Sequence, residues 1–272
     1  MKNVHLLVID PQLDFCDPAG NLFVQGAVED MQRLSKFVRD NGSKIGQIHC
    51  TLDSHHLIHI AHPVFWLDSN SNNPGPFTII TAEDVRQGKW IPAKFYLRNE
   101  ATKYVETLER GGRYPLCIWP PHCLIGTPGA AIVKEVMESF NDWSKRSFSV
   151  IDFVAKGSNP LREHYSAVKA EVFDTSDPST GLNTDLVSTL ENADEILIAG
   201  EALSHCVANT LRDIADAFSD NNYVSKMTLL RDCTSPVGDP PGATLFTDMA
   251  EQFITEMTKR GMKVTTSDAW GI

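Results

Sequence analysis

No apolar run in the chain approaches the roughly 18 residues that a membrane helix needs, so a membrane-spanning protein is not expected. The start, Met1-Lys2-Asn3, leads straight into the short apolar run His5–Ile9 with no small-residue cleavage site behind it, which gives no secretory signal. Positive charge is scarce: 24 Lys and Arg stand against 35 Asp and Glu, a formal charge of -11. That balance argues against nucleic acid or an anionic membrane as partner and favours a small-molecule site. Cysteine is sparse and scattered, at positions 16, 50, 117, 123, 206 and 233 with no CxxC pair, so reduced thiols in a cytoplasmic setting are expected, not a disulfide framework. Internal repeats are lacking, and the only low-complexity stretch is the polar run SNSNNPGP at Ser69–Pro76.

What the chain does have is alternation. Short apolar runs at Val4–Ile9, Ser43–Thr51, Leu116–Trp119, Ser149–Val154, Glu195–Gly200, Lys226–Arg231 and Lys263–Thr266 read as strands. Between them lie helical patterns at Val28–Asn41, Ala101–Arg110, Ala130–Trp143, Thr184–Asn192, Ser204–Ala217 and Ala243–Lys259. This rhythm predicts an α/β fold, a three-layer α/β/α sandwich around a doubly wound, mostly parallel sheet, with ligands beyond the carboxyl ends of the strands. At 272 residues a single domain over 1–272 is expected, interrupted at about 63–115 by an inserted or cover segment.

Unusual polar residues fall just after the predicted strands. In "LLVIDPQLDF" an apolar strand ends in two carboxylates four residues apart: Asp10, at the strand's end, can be partly desolvated and act as a base, or Asp10 or Asp14 can cap the following turn. In "TLDSHHLIHIAHP" Asp53 and His55 lie two residues apart in extended chain, on one side of it, with His56, His59 and His62 close behind. Imidazole with carboxylate suits Zn, Mn or Fe. "WPPHCLIGTPGA" fixes His122 behind two prolines, where it can complete a site begun by Asp53 and His55 on a neighbouring strand. "FVAKGSNP" puts Lys156 at a strand exit, and "IAGEALSHCVANT" puts Cys206 in the first turn of a helix, where free N–H groups and the helix dipole favour a thiolate. Asp10, Lys156 and Cys206 then form one constellation, with the ammonium holding the carboxylate ionised and favouring a negative sulfur.

With these stretches together, the chain resembles the isochorismatase-like cysteine hydrolases, and among them the nicotinamidases and pyrazinamidases. The resemblance runs from Leu6 to about Thr210, and "WPPHCLIGTPGA" is its most specific part. It implies a cytoplasmic cysteine amidohydrolase acting on the linear C–N bond of a small carboxamide, nicotinamide first. Cys206 would be the nucleophile, Asp10 the base and acid, and Lys156 their electrostatic partner. The N–H groups of Ala202 and Cys206 would form the oxyanion hole, behind a cis Glu201–Ala202 bond, and Phe15 and Trp119 would line the ring pocket. One divalent metal, zinc first, with manganese or iron as alternatives, would sit on Asp53, His55 and His122, with His62 ahead of His59 as a further ligand. Homo-oligomers are common in this family. The sequence departs from it at Glu201, where relatives carry a small or apolar residue, at Leu203, where they carry threonine, and in the 66 residues between His55 and His122. The charge at Glu201 would alter substrate preference or form an ion pair. The alternatives on the same fold are a hydrolase of another small amide or N-carbamoyl compound and a catalytically silent binding protein.

Overall fold

A computed structural model describes residues 2–111, 113–239 and 243–271. Its elements in chain order are β1 (Val4–Ile9), α1 (Leu13–Cys16), α2 (Ala27–Asn41), β2 (Ile45–Asp53), β3 (Trp66–Leu67), β4 (Ile79–Ile80), α3 (Ala82–Arg86), β5 (Ile91–Pro92), α4 (Arg98–Gly111), β6 (Leu116–Cys117), α5 (Lys134–Ser147), β7 (Asp152–Lys156), α6 (Thr184–Glu191), β8 (Glu195–Gly200), α7 (Ala208–Ala217), β9 (Met227–Leu230), α8 (Leu245–Lys259) and β10 (Lys263–Thr265). The described residues form a six-stranded sheet in the order β10-β9-β8-β1-β2-β7, with every pair parallel.

The two central strands, β1 and β8, are buried along their whole length. Strands covered on both faces cannot alternate apolar with polar residues, which is why "VHLLVI" and "EILIAG" read as near-continuous apolar runs. Along β1, Leu6 and Val8 face a core shared with α2 and α5, where Leu34, Phe37, Phe140 and Trp143 are buried. Leu7 and Ile9 face the opposite core, filled by Leu190, Leu211 and Phe253 from α6, α7 and α8. Each fully buried side chain of this size contributes about 1.5–3 kcal/mol by leaving water. The helices obey the same logic. On α2, Met31, Leu34 and Val38 recur at helical spacing and are buried, while the opposite face is charged.

Register then delivers the functional residues. Ile9 pairs with Gly200, so the chains leaving β1 and β8 start side by side. Asp53 pairs with Lys156, placing their side chains on the same face of adjacent strands. The order reverses around β1, and the crevice at that switch point is where such a sheet binds ligands.

One predicted strand belongs elsewhere. The run Leu116–Trp119 is a strand only at β6, and it pairs antiparallel with β4 in a small satellite sheet, not with the central one. It is apolar because Leu116, Ile118 and Trp119 are buried beneath the cover segment, so hydrophobicity alone misplaces it. The described residues of 63–115 are correspondingly structured: β3 pairs with β5, β4 with β6, and α4 sends Tyr104, Val105 and Leu108 into the same core as α2 and α5. α3 starts on a capping box between Thr81 and Asp84.

Gly200 has φ +110°, and a Cβ there would lie 2.0 Å from the Ile9 carbonyl oxygen. Gly200→Ala is expected to destabilise the fold by more than about 2 kcal/mol in urea unfolding, since both the conformation and the space are closed to a side chain. An unchanged midpoint would mean that β8 does not approach β1 this closely.

Candidate active site

Asp10 follows β1 with φ +43°, a left-handed turn that Asp tolerates better than most residues and that directs its carboxyl back over the sheet. Thr51 of β2 fixes it there, accepting the Asp10 N–H at 3.1 Å and donating its hydroxyl to Asp10 Oδ1 at 2.5 Å. Lys156 Nζ lies 3.0 Å from Asp10 Oδ2, donates to Asp53 Oδ1 at 3.0 Å and to the His164 carbonyl at 3.1 Å, and reaches Cys206 Sγ at 3.5 Å. Asp10 and the thiol thus meet on the same ammonium. The acid, the ammonium and the thiol are all buried.

Burial of this density sets the protonation states. Desolvation would lower the ammonium, but Asp10 and Asp53 outweigh it and hold Lys156 well above the ordinary lysine range. Burial raises the Asp10 carboxyl, with Lys156 and the Thr51 hydrogen bond pulling the other way. For Asp53, burial is outweighed by His55 and Lys156, so its carboxyl stays well below the usual range. At Cys206 an opposing effect meets the helix-end electrostatics. Burial, with Asp10 and Asp53 adding to it against Lys156, pushes the thiol well above its ordinary value, so the resting sulfur carries its proton. The local backbone differs too: Cys206 sits in a π-helical turn, Leu203–Val207, that leads into α7, not in a regular first α-helical turn. The Glu201–Ala202 bond before it is cis.

Beside the ammonium, Asp53 Oδ2 faces His55 Nε2 at 3.0 Å and His122 Nε2 at 3.3 Å, and one donor atom from each of the three residues lies within 4.8 Å of the others. Backbone carbonyls hold the other ring nitrogens: Gly157 O for His55 Nδ1 at 3.0 Å and Pro120 O for His122 Nδ1 at 2.8 Å. A carbonyl on Nδ1 fixes the tautomer and turns each Nε2 inward. His62 repeats it, with Nδ1 on the Leu57 carbonyl at 3.1 Å and a buried Nε2 that has no partner among the described residues. Its ring adjoins those of His55 and His122 at 5.4 and 5.7 Å. His59 is committed elsewhere, with Nε2 on the Arg162 carbonyl and Nδ1 accepting from Ala61 N–H. The donor set therefore fits a divalent cation on Asp53, His55 and His122, with the orphaned His62 nitrogen as the further donor.

His122 does not come from a neighbouring strand. Its loop is pinned by His55 N–H to Cys123 O at 3.1 Å, by Ile125 N–H to His55 O at 3.0 Å, and by Cys123 N–H to Asp14 Oδ2 at 2.6 Å. Asp14, which also takes the Asn21 N–H, is the structural member of the Asp10–Asp14 pair.

Between cradle and thiol lies a narrow cleft lined by the predicted Phe15, Trp119, Asp53, His122, Ala202 and Cys206. Leu22, Glu163, Tyr165, His205 and Val237 line it too, and sequence reasoning passed them over. Tyr165 accepts the Trp119 Nε1–H at 2.9 Å, and His205 stacks on Tyr114 with centroids 5.1 Å apart. The signal was faint: Glu163 and Tyr165 lie in a stretch without periodicity, and His205 was overshadowed by the cysteine beside it.

No family model matches the chain. A curated protein, the nicotinamidase of Saccharomyces cerevisiae, is 27% identical over 238 residues, spanning 87% of this chain and 89% of that protein. The solved yeast nicotinamidase superposes with TM-score 0.65 at 24% identity, over 96% of this chain and 99% of that one. A pyrazinamidase of Pyrococcus horikoshii, solved in complex with zinc, superposes with TM-score 0.56 at 22% identity, over 97% and 99%. The likeness runs nearly end to end, and the chain shares the parallel-sheet fold of these enzymes. The proteins it is similar to are nicotinamidases and pyrazinamidases.

Metal analysis after zinc loading is expected to find one ion per chain in the wild type and little in His55→Ala. His62→Ala is expected to weaken binding by about 10- to 100-fold. Undiminished binding in both variants would remove this cradle as the site.

Proposed function

We propose that the protein hydrolyses nicotinamide to nicotinic acid and ammonia through a thioester on Cys206. The observation that carries this reading is a buried thiol 3.5 Å from the Lys156 ammonium, which itself lies 3.0 Å from Asp10, at the end of a cleft whose other end is the Asp53–His55–His122 cradle. The fold extends over the same length as nicotinamidases, which supports the substrate class.

The chemistry follows from where protons sit. Asp10 takes the thiol proton as sulfur attacks the carboxamide carbon, and the carbonyl electron pair moves to oxygen. The backbone N–H groups of Ala202 and Cys206 are the proposed donors to that oxygen, and the buried ammonium of Lys156 offsets the negative charge passing between Asp10 and sulfur. Asp10 returns the proton to nitrogen as the C–N bond breaks, releasing ammonia. It then takes a proton from water, which cleaves the thioester to the acid and restores the thiol. Zinc is the cation proposed for the cradle of Asp53, His55, His122 and His62, where it would supply Lewis-acid affinity for a ring nitrogen.

Phe15 and Trp119 offer flat apolar faces to a heteroaromatic ring. Among the described residues, the cleft lining has no Arg or Lys to receive an acidic substituent, which favours a neutral aromatic amide over an N-carbamoyl acid. No described helix is long and apolar enough to cross a membrane, and the cysteines are all free, in keeping with a reducing, cytoplasmic setting. A single domain over 1–272, with 63–115 as its cover, belongs to the same proposal.

Ammonia release from nicotinamide is expected in the wild type. Cys206→Ala and Asp10→Asn should each lose at least about 1,000-fold in kcat/KM while still binding zinc. Activity surviving Cys206→Ala would reject the thioester route.

A further inference from the structure

Glu201 stands at the elbow between β8 and the cysteine turn, where the family pattern has a small or apolar residue. Its carboxyl is fully buried, with no salt bridge to it among the described residues, so the ion pair expected from sequence is not formed. It does not line the cleft either. Glu201 Oε2 accepts the Ser235 N–H at 3.0 Å, and Oε1 is buried without a conventional partner. Beside it stands a second buried carboxyl, Asp30 of α2, gathered on the same serine: the Ser235 hydroxyl bonds Asp30 Oδ2 at 2.6 Å, and Arg33 Nη2 bonds Asp30 Oδ1 at 2.6 Å. Two dry carboxyls gathered on one residue do not readily both carry charge. The one lacking a cation keeps the proton, and that is Glu201.

A neutral Glu201 has a task within reach. Ser235, which it grips, accepts the Leu203 N–H on its own carbonyl at 2.8 Å, and Val237 N–H donates to Ser204 Oγ at 3.1 Å. These bonds stitch Ser235–Val237 to the turn that carries Ala202 and Cys206, and Val237 is a wall of the cleft. Gly26, at φ +102°, closes the network from behind, with no room for a Cβ against Ser235 Oγ.

We propose that Glu201 is a positioning residue that acts as a protonated clamp, donating to Asp30 and accepting from Ser235, so that the Ala202–Cys206 turn and the Val237 wall are held in register with the cleft. This rests on the hydrolase reading of the same site. The charged and titratable groups around it are Asp30 on α2, Cys16 on α1, and Arg231 behind β9, with Arg33 reaching it through Asp30. Burial and then Asp30 raise the Glu201 carboxyl well above its ordinary range, and Arg231 and the Ser235 bond oppose this without prevailing. A raised folded-state value means that the folded chain holds a proton the unfolded chain has lost. The stability from this clamp is therefore full below the unfolded glutamate value and is lost as pH rises through the folded one.

The test compares Glu201→Gln, whose amide can donate to Asp30 and accept from Ser235, with Glu201→Ala, which does neither. Urea unfolding across pH is expected to show a wild-type stability that falls toward alkaline pH more steeply than that of Glu201→Gln. With nicotinamide as substrate, Glu201→Gln should keep kcat near the wild-type value. Glu201→Ala should lose about tenfold or more in kcat with a smaller change in KM, since misplaced backbone affects the reacting geometry first. If Glu201→Ala does not fold, the pH slopes and the kcat of Glu201→Gln still decide. Equal pH slopes in wild type and Glu201→Gln, or a kcat in Glu201→Gln reduced as in Glu201→Ala, would overturn the clamp. A wild type that releases no ammonia from nicotinamide would fail the substrate reading alone, because the unfolding arm needs no substrate.

Discussion

One buried ammonium makes the rest of this site possible. Lys156 lies against Asp10 on one side and Asp53 on the other, at 3.0 Å from each, with hardly any contact with solvent. Two carboxylates in such a setting would each carry a desolvation cost of several kcal/mol, and removing one member of a buried ionic group typically costs about 3–5 kcal/mol. With the ammonium between them, one carboxylate can serve the thiol and the other the cation cradle. The proposed catalytic and metal-holding halves therefore share one charge. The sheet enforces this arrangement, because Asp53 and Lys156 are register partners on β2 and β7 while Asp10 leaves the adjoining strand.

The backbone around this group is as constrained as its charges. Asp10 is held in a left-handed turn by Thr51, Gly200 lies where no Cβ fits against Ile9, and Gln12 clamps Asp53 through both its backbone N–H and its carbonyl, at 2.7 Å each. Polar anchors recur wherever a functional side chain must point away from its own strand. The histidines of the cradle show it most plainly, each tied by Nδ1 to a main-chain oxygen, which leaves Nε2 as the nitrogen turned toward the cradle. Precision of this kind supplies positioning, which accounts for a large share of what an enzyme contributes to a reaction between a nucleophile and an amide.

How much of this was visible in the sequence depended on burial. β1 and β8 were read to the residue because strands covered on both faces are continuously apolar and sharply bounded. β7 was placed three residues early, because an edge strand with exposed Asp152 and Phe153 lacks that contrast. Leu116–Trp119 misled for the opposite reason, being buried by the cover segment and not by the central sheet. Asp10, Asp53, His55, Lys156 and Cys206 were legible because they follow apolar strands directly, where a polar side chain needs a reason. Glu163, Tyr165 and Val237 reach the cleft from irregular chain, whose path no periodicity encodes. At Cys206 the helix-end electrostatics can be seen in a sequence, and the competing burial beside two carboxylates cannot.

The central claim is a coupling between Lys156 and Asp10, and a double-mutant cycle on metal-free protein measures it most directly. Urea unfolding at neutral pH of Lys156→Met, Asp10→Asn and the double variant should give a coupling of more than about 2 kcal/mol, with the double variant more stable than Lys156→Met alone, because deleting the carboxylate relieves the charge stranded by loss of the ammonium. Single effects that add to within about 0.5 kcal/mol would show that the ammonium does not sustain the buried acid.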